Sequence, residues 1–315
     1  MIKYIKTFLL SFLIILVSCS QPEIEVIAIQ QLELPDSLRF TAPQFSPSGQ
    51  QILLTSPGYK GLWLYNIKKN SQVRLNELRG AGYQTKFSSE GQKVAFRYDT
   101  YINRLRHSSL TVQNISTKEM SDLIKEERNL SVPLKFKNNK LVYLLDDKPY
   151  IYDLKKKTSL PYSKAGKRYS GLVTYSWDKN LIVLNNGNQD TLNPCESGHY
   201  IWTSAAPDNN KLLFTCTGAG TFVSDDQGNV ITKIENASAP QWSPDSKWIL
   251  YTKQKDDGHR ITASDIFVKS ADGEYEFQLT ATPEKIELHP AWSPSGDKIV
   301  YETDNYDIEV LQISK

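Results

Sequence analysis

Ala239-Pro240-Gln241-Trp242-Ser243-Pro244-Asp245-Ser246 is followed at once by the β-rich run Trp248 to Thr252. Pro presets φ, and a Gly, Asn or Ser two residues on sits where the chain turns back. The segment therefore predicts a tight turn joining an aromatic-ended strand to an apolar one, an antiparallel hairpin. Near copies are Ala42-Pro43-Gln44-Phe45-Ser46-Pro47-Ser48-Gly49 and Pro290-Ala291-Trp292-Ser293-Pro294-Ser295-Gly296-Asp297. Weaker copies begin at Phe87, Phe136 and Ser204, and a degenerate one at Ser176. A second β-rich run follows in most units, such as Leu62 to Ile67, Leu110 to Ile115 and Ile266 to Lys269.

The units start at 45, 87, 136, 176, 204, 242 and 292. Their mean spacing, about 41 residues, is that of a four-stranded propeller blade. One blade cannot bury both its faces, so the units pack round an axis. The fold class predicted is an all-β propeller of four-stranded antiparallel blades, seven by count with six as the alternative. The count turns on the fourth unit, which is only 28 residues long and is either a three-stranded blade or part of the third. The last unit ends soon after its third strand. Glu23 to Leu34 alternates outside any unit, and is expected to supply the missing strand and close the ring.

The 315 residues carry 37 Lys+Arg, 35 Asp+Glu and 34 aromatics (17 Tyr, 6 Trp, 11 Phe). This composition is globular and favours strands and turns. Near-neutral charge excludes a generally basic nucleic-acid binder. Three Cys exclude a disulfide-built scaffold.

Lys3 and Lys6 precede a nearly continuous apolar run from Phe8 to Val17, of signal-peptide length and short for a membrane-spanning helix. Leu16-Val17-Ser18-Cys19 resembles the bacterial lipobox. That resemblance implies cleavage after residue 18 and a diacylglycerol on Cys19. Residues 1–18 are then a lipoprotein signal peptide, 19–34 a lipidated tether and ring-closing strand, and 35–315 the propeller. Cleavage removes Lys3 and Lys6 and no acid, so the mature chain has 35 basic and 35 acidic residues. With no net charge to draw it to anionic lipid, its attachment rests on the lipid. The expected location is the cell envelope, as an outer-membrane lipoprotein facing the periplasm or the cell surface. The expected body is monomeric, with an envelope protein or glycan as partner and no nucleic acid.

The repeats resemble the TolB-type β-propeller repeat, with its W-S-P-D-G turn and following apolar strand, over roughly residues 40–313. Gly198-His199-Tyr200-Ile201-Trp202, and Asp256-Asp257-Gly258-His259 through Ser264-Asp265-Ile266, look like a Bacteroidetes-type lipoprotein branch of that superfamily. The superfamily includes binding and scaffold modules, the propellers of prolyl-oligopeptidase-like enzymes, and oligogalacturonate lyases. Fold alone therefore leaves function open.

No G-x-S-x-G elbow, Walker loop, dinucleotide fingerprint, H-E-x-x-H or EF-hand loop occurs. No catalytic residue is assigned, and the reading favours a non-enzyme. Gly218-Ala219-Gly220 reads as a hairpin tip, and Lys155-Lys156-Lys157 as a solvated strand cap. Cys195 and Cys216 are either a disulfide, permitted by an oxidising compartment, or two buried small apolar residues.

The four His carry the remaining pattern. Links between blades, and links between second and third strands, emerge on one face of a propeller. His199 and His289 fall in the former, His107 and His259 in the latter. Tyr98 to Ser109 and Lys253 to Ser264 read as the longest loops of that face. Tyr83 joins it through the Gly80-Ala81-Gly82-Tyr83 link, and Asp257 and Arg260 flank His259. The candidate ligand-binding residues are Tyr83, His107, His199, Asp257, His259, Arg260 and His289, near the mouth of the axial channel. No cofactor is expected. The alternative, implied by the resemblance to oligogalacturonate lyases, is a polysaccharide lyase with a divalent metal on His199, His259 and His289.

Overall fold

A computed structural model describes residues 23–166, 169, 171–195, 198–283 and 285–314. The expectations for residues 1–18 and Cys19 lie outside these residues. Among the described residues, seven antiparallel sheets form a seven-bladed β-propeller. Six have four strands, and the fourth has three (Val173–Trp177, Asn180–Asn185, Asn188–Leu192). The short fourth unit is thus a blade of its own, and the six-blade alternative falls.

The first strands are Thr41–Phe45, Lys86–Phe87, Lys135–Lys137, Val173–Trp177, Tyr200–Ala205, Ala237–Trp242 and Glu287–Trp292 in blades 1 to 7. Several of these strands touch their counterparts in the next blade, as Thr41–Phe45 does Glu287–Trp292, which places them around the axis. Glu25–Gln31 pairs antiparallel with Ile308–Ser314 and becomes the fourth strand of blade 7. The ring is therefore closed by the two ends of the chain, as the alternation of Glu23 to Leu34 predicts.

The apolar runs pack between blades. Among the described residues seven buried clusters occur, one at each blade interface. At the closure, Phe40, Phe45, Ile52 and Tyr65 of blade 1 and its entry meet Ala291, Val300 and Ile308 of blade 7. Each fully buried Leu or Ile there contributes roughly 1.5–3 kcal/mol.

The serine turns, Ser-Pro in blades 1, 6 and 7 and Ser88-Ser89 in blade 2, explain themselves atom by atom. The hydroxyls of Ser46, Ser88, Ser243 and Ser293 accept the backbone N–H five residues on, at 3.2, 3.1, 2.9 and 3.0 Å. The same serines' N–H groups donate to the carbonyls of those partners at 2.8 Å. All four serines are buried. Gly49, Gly91 and Gly296 take positive φ in these turns. The turns also interlock: Pro47 of blade 1 packs beside Gly91 of blade 2, and Pro294 of blade 7 beside Gly49 of blade 1.

Blades 3 and 4 lack this motif because they turn differently. Asn138-Asn139, Asp146-Asp147 and Asp178-Lys179 are two-residue hairpins in which both residues have positive φ. Such paired left-handed residues match the twist of the strands they join. Asn103-Arg104 does the same in blade 2, with φ of 49° and 65°. As a result Tyr98 to Ser109 is no loop. Its residues pair across the hairpin up to Ile102↔Leu105. Lys253 to Ser264 is likewise paired up to Asp256↔Ile261, leaving only a short turn.

Candidate functional site

One irregularity recurs in the first strands. Their pairing with the second strand slips between Thr41 and Gln44, Ile201 and Ser204, Ser238 and Gln241, and Leu288 and Ala291. At each slip one residue takes a left-handed backbone: Ala42 (φ 48°), Trp202 (49°), Ala239 (50°) and His289 (48°). A bulge of this kind adds a residue and re-aims a side chain. These four positions are equivalent and lie on blades 1, 5, 6 and 7. They sit at the end of the inner strands where the interblade links enter, hence at the rim of the axial channel. Two are Ala, one is Trp202, 41% exposed, and one is His289.

His289 is anchored. Its Nδ1 donates to Glu302 Oε1 at 3.0 Å. Glu302 is buried, and its carboxylate also accepts from Thr41 Oγ1 at 2.7 Å and from the Ala42 N–H. One carboxylate thus ties the rim of blade 7 to the rim of blade 1. The hydrogen bond to Glu302 raises the His289 pKa above the ordinary imidazole value, against the opposing effect of burial.

Tyr83 lies in the link between blades 1 and 2 and is 40% exposed. Its ring meets that of Tyr59 edge-on, with centroids 5.0 Å apart. Gly82, just before Tyr83, packs so close to Thr55 that a Cβ there would collide with that side chain. Burial raises the Tyr59 pKa, with Tyr83 and Glu302 adding to the rise.

The other predicted residues are dispersed. The blade topology puts His107, His199, His259 and His289 at the same end of blades 2, 5, 6 and 7. His107 belongs to the third strand of blade 2, and its Nδ1 donates to Glu126 O at 2.8 Å. His199 is exposed beside the start of blade 5, and its carbonyl accepts the Thr217 N–H. Asp257, His259 and Arg260 form one exposed hairpin tip. Asp257 Oδ1 accepts the N–H groups of His259 and Arg260, both at 2.9 Å. Those bonds hold its carboxyl below the usual carboxylate range. Among the described residues no group of three or more His, Cys, Asp or Glu is placed to hold a metal ion. His199, His259 and His289 therefore do not assemble the metal set that the lyase alternative asks for.

Cys195 and Cys216 are brought together, with Cα atoms 6.5 Å apart and their sulfurs in contact. This separation is one a disulfide spans. Gly198 is required beside them, since a Cβ there would collide with Cys216 Sγ.

Sequence reasoning passed over Trp202, Tyr59 and Glu302. Trp202 was detectable in principle as the position equivalent to Ala42, Ala239 and His289. Those three precede Pro, whereas Trp202 precedes Thr203, and that hides the equivalence.

No family model matches the chain, and no curated protein matches it in sequence. Solved structures do resemble it. Oligogalacturonate lyase from Vibrio parahaemolyticus superposes with a TM-score of 0.64 at 11% identity, over 92% of this chain and 96% of that one. An oligogalacturonate lyase in complex with manganese gives 0.65 at 13% identity, over 92% and 95%. TolB from Acinetobacter baumannii gives 0.52 at 13% identity, over 82% of this chain and 58% of TolB. At these identities the likeness is one of fold: a TolB-like β-propeller, shared with enzymes and with a protein that is not named as one.

Proposed function

We propose that this chain is a lipid-anchored envelope propeller that works as a non-catalytic binding or scaffold module for a protein or a glycan. The observation that carries the reading is the rim itself. Four equivalent bulges present Trp202 and His289 on either side of the small Ala239, with Ala42 next and the Tyr59–Tyr83 pair beyond. An exposed indole, a phenol pair and an anchored imidazole suit recognition of a sugar face or a peptide by stacking and hydrogen bonds. The polar groups nearby are engaged in structure: His289 on Glu302, His107 on Glu126 and Asp257 on its own turn. None is paired with a free nucleophile. The anchor rests on the lipobox-like Leu16 to Cys19, and the Bacteroidetes-type branch on the stretches around Trp202 and His259.

The test is affinity capture from solubilised envelope, with wild type compared against Trp202→Ala and Tyr83→Ala. A specific envelope protein or glycan should be retained by wild type and lost from both variants, whose melting temperatures should stay near wild type. Retention unchanged in both variants would remove the rim from the reading.

A further inference from the structure

The axis holds a second feature. The first strands of blades 1 to 5 enclose a cavity of ≈ 370 Å³, open to solvent rather than sealed. Its wall includes Gln44, Lys86, Lys135 and Thr174, and Ser204. Gln44 and Lys86 pair with Leu53 and Ala95, next to the first turns of their blades. On blades 1 and 2 the cavity thus lies next to the turns, and on blade 5 it extends to Thr203, beside Trp202.

The wall carries two ammonium groups and no Asp or Glu. Among the described residues the Lys86 ammonium has no hydrogen bond or ion pair, although the residue is half-buried. Lys135 Nζ donates to two neutral oxygens, Leu172 O at 2.8 Å and Asn209 Oδ1 at 3.4 Å, which leaves one of its three N–H groups over. Thr174 is 7% exposed, and its hydroxyl has no hydrogen-bond partner among the described residues. Buried polar groups are nearly always satisfied, and desolvated charge is costly unless paired. Here two cations and an orphan hydroxyl face one cavity without a counter-charge.

We infer that the axial cavity binds an oxyanion, a phosphoryl or carboxylate group, held by the ammonium groups of Lys86 and Lys135 with the Thr174 hydroxyl as a further donor. Charge-assisted bonds of this kind are short and strong. Burial already pulls both ammonium groups down, Lys135 to about 8 with the nearby Lys137 adding to the fall. An anion in the cavity relieves that cost. The inference rests on Lys86, Lys135 and Thr174, none of which belongs to the rim described above.

The experiment is calorimetric titration of the mature chain with inorganic phosphate and, separately, with acetate, at constant ionic strength in chloride. Saturable one-to-one binding of at least one probe is expected, and the stronger of the two identifies the phosphoryl or the carboxylate source. Lys86→Met and Lys135→Met should each weaken it about tenfold or more, and Thr174→Val by a smaller factor. Lys148→Ala, at the exposed second hairpin of blade 3 and outside the cavity wall, should leave it unchanged. No saturable binding of either probe, or binding that survives both lysine variants, overturns the inference. A second measurement needs no variant. After reductive ¹³C-methylation, the probe that binds should raise the NMR titration midpoint of Lys135, and a midpoint unmoved at saturation also overturns it.

Discussion

His289 Nδ1 and Glu302 Oε1 lie 3.0 Å apart across the first hairpin of blade 7, and the same carboxylate holds Thr41 and Ala42 of blade 1. A single side chain therefore fixes a candidate recognition residue and fastens the two blades at which the ring closes. Replacing Glu302 by Gln removes the charge and gives His289 and Ala42 one acceptor where they had two. The variant should lose about 1–3 kcal/mol of stability. A denaturant midpoint equal to wild type would show that the closure does not depend on this contact.

The same pair sets a pH dependence. The folded-state pKa of His289 is raised by Glu302. Its contribution to stability is therefore fully present below the unfolded value, about 6.5, and is lost as pH rises through the higher folded value. The stability difference between wild type and His289→Ala should be largest in mild acid and shrink above neutrality. A difference that grows with pH would contradict the assignment.

The Ser-Pro turns are expected to be structural. Ser243 is fully buried, and its hydroxyl accepts the Trp248 N–H at 2.9 Å. Ser243→Ala leaves that donor without its partner and should cost about 1–3 kcal/mol in equilibrium unfolding. Loss of less than a few tenths would mean that the backbone bonds of the turn suffice.

Cys195 and Cys216 are expected to be bridged in protein made in an oxidising compartment. The chain between them spans a sequence separation of 21, and closing a loop of that size adds roughly 3 kcal/mol. Thiol labelling of the denatured, unreduced chain should modify neither Cys. Full labelling of both would return them to the reading of two small buried apolar residues.

Replacing Cys19 by Ala should release the body into the soluble fraction. A variant that still sediments with membranes would remove the lipid from the account.

Much of the ring was legible because the turns recur. Ser46, Ser243 and Ser293 mark their hairpins, and the alternation around Ile24 to Gln30 marks the closing strand. The long hairpin of blade 2 was not legible. A two-residue turn of its kind favours Gly at the second place, and Arg104 stands there instead, so Tyr98 to Ser109 reads as a loop. The site was less legible still. Histidines at one end of four different blades share a face without sharing a neighbourhood. The bulge that makes Trp202 and His289 equivalent depends on pairing register, and the cavity lysines depend on how first strands approach the axis. Each of these lysines stands directly before the aromatic of its unit, Lys86 before Phe87 and Lys135 before Phe136, as Gln44 does before Phe45. That offset is the one sequence signal that marks them.

The most direct test of a propeller that binds without metal chemistry is elemental analysis of protein purified in the absence of chelators. Manganese and zinc should be far below one per chain and unaffected by His199→Ala. Stoichiometric manganese or zinc, lost in His199→Ala, would contradict the non-catalytic reading and restore the metal-dependent lyase.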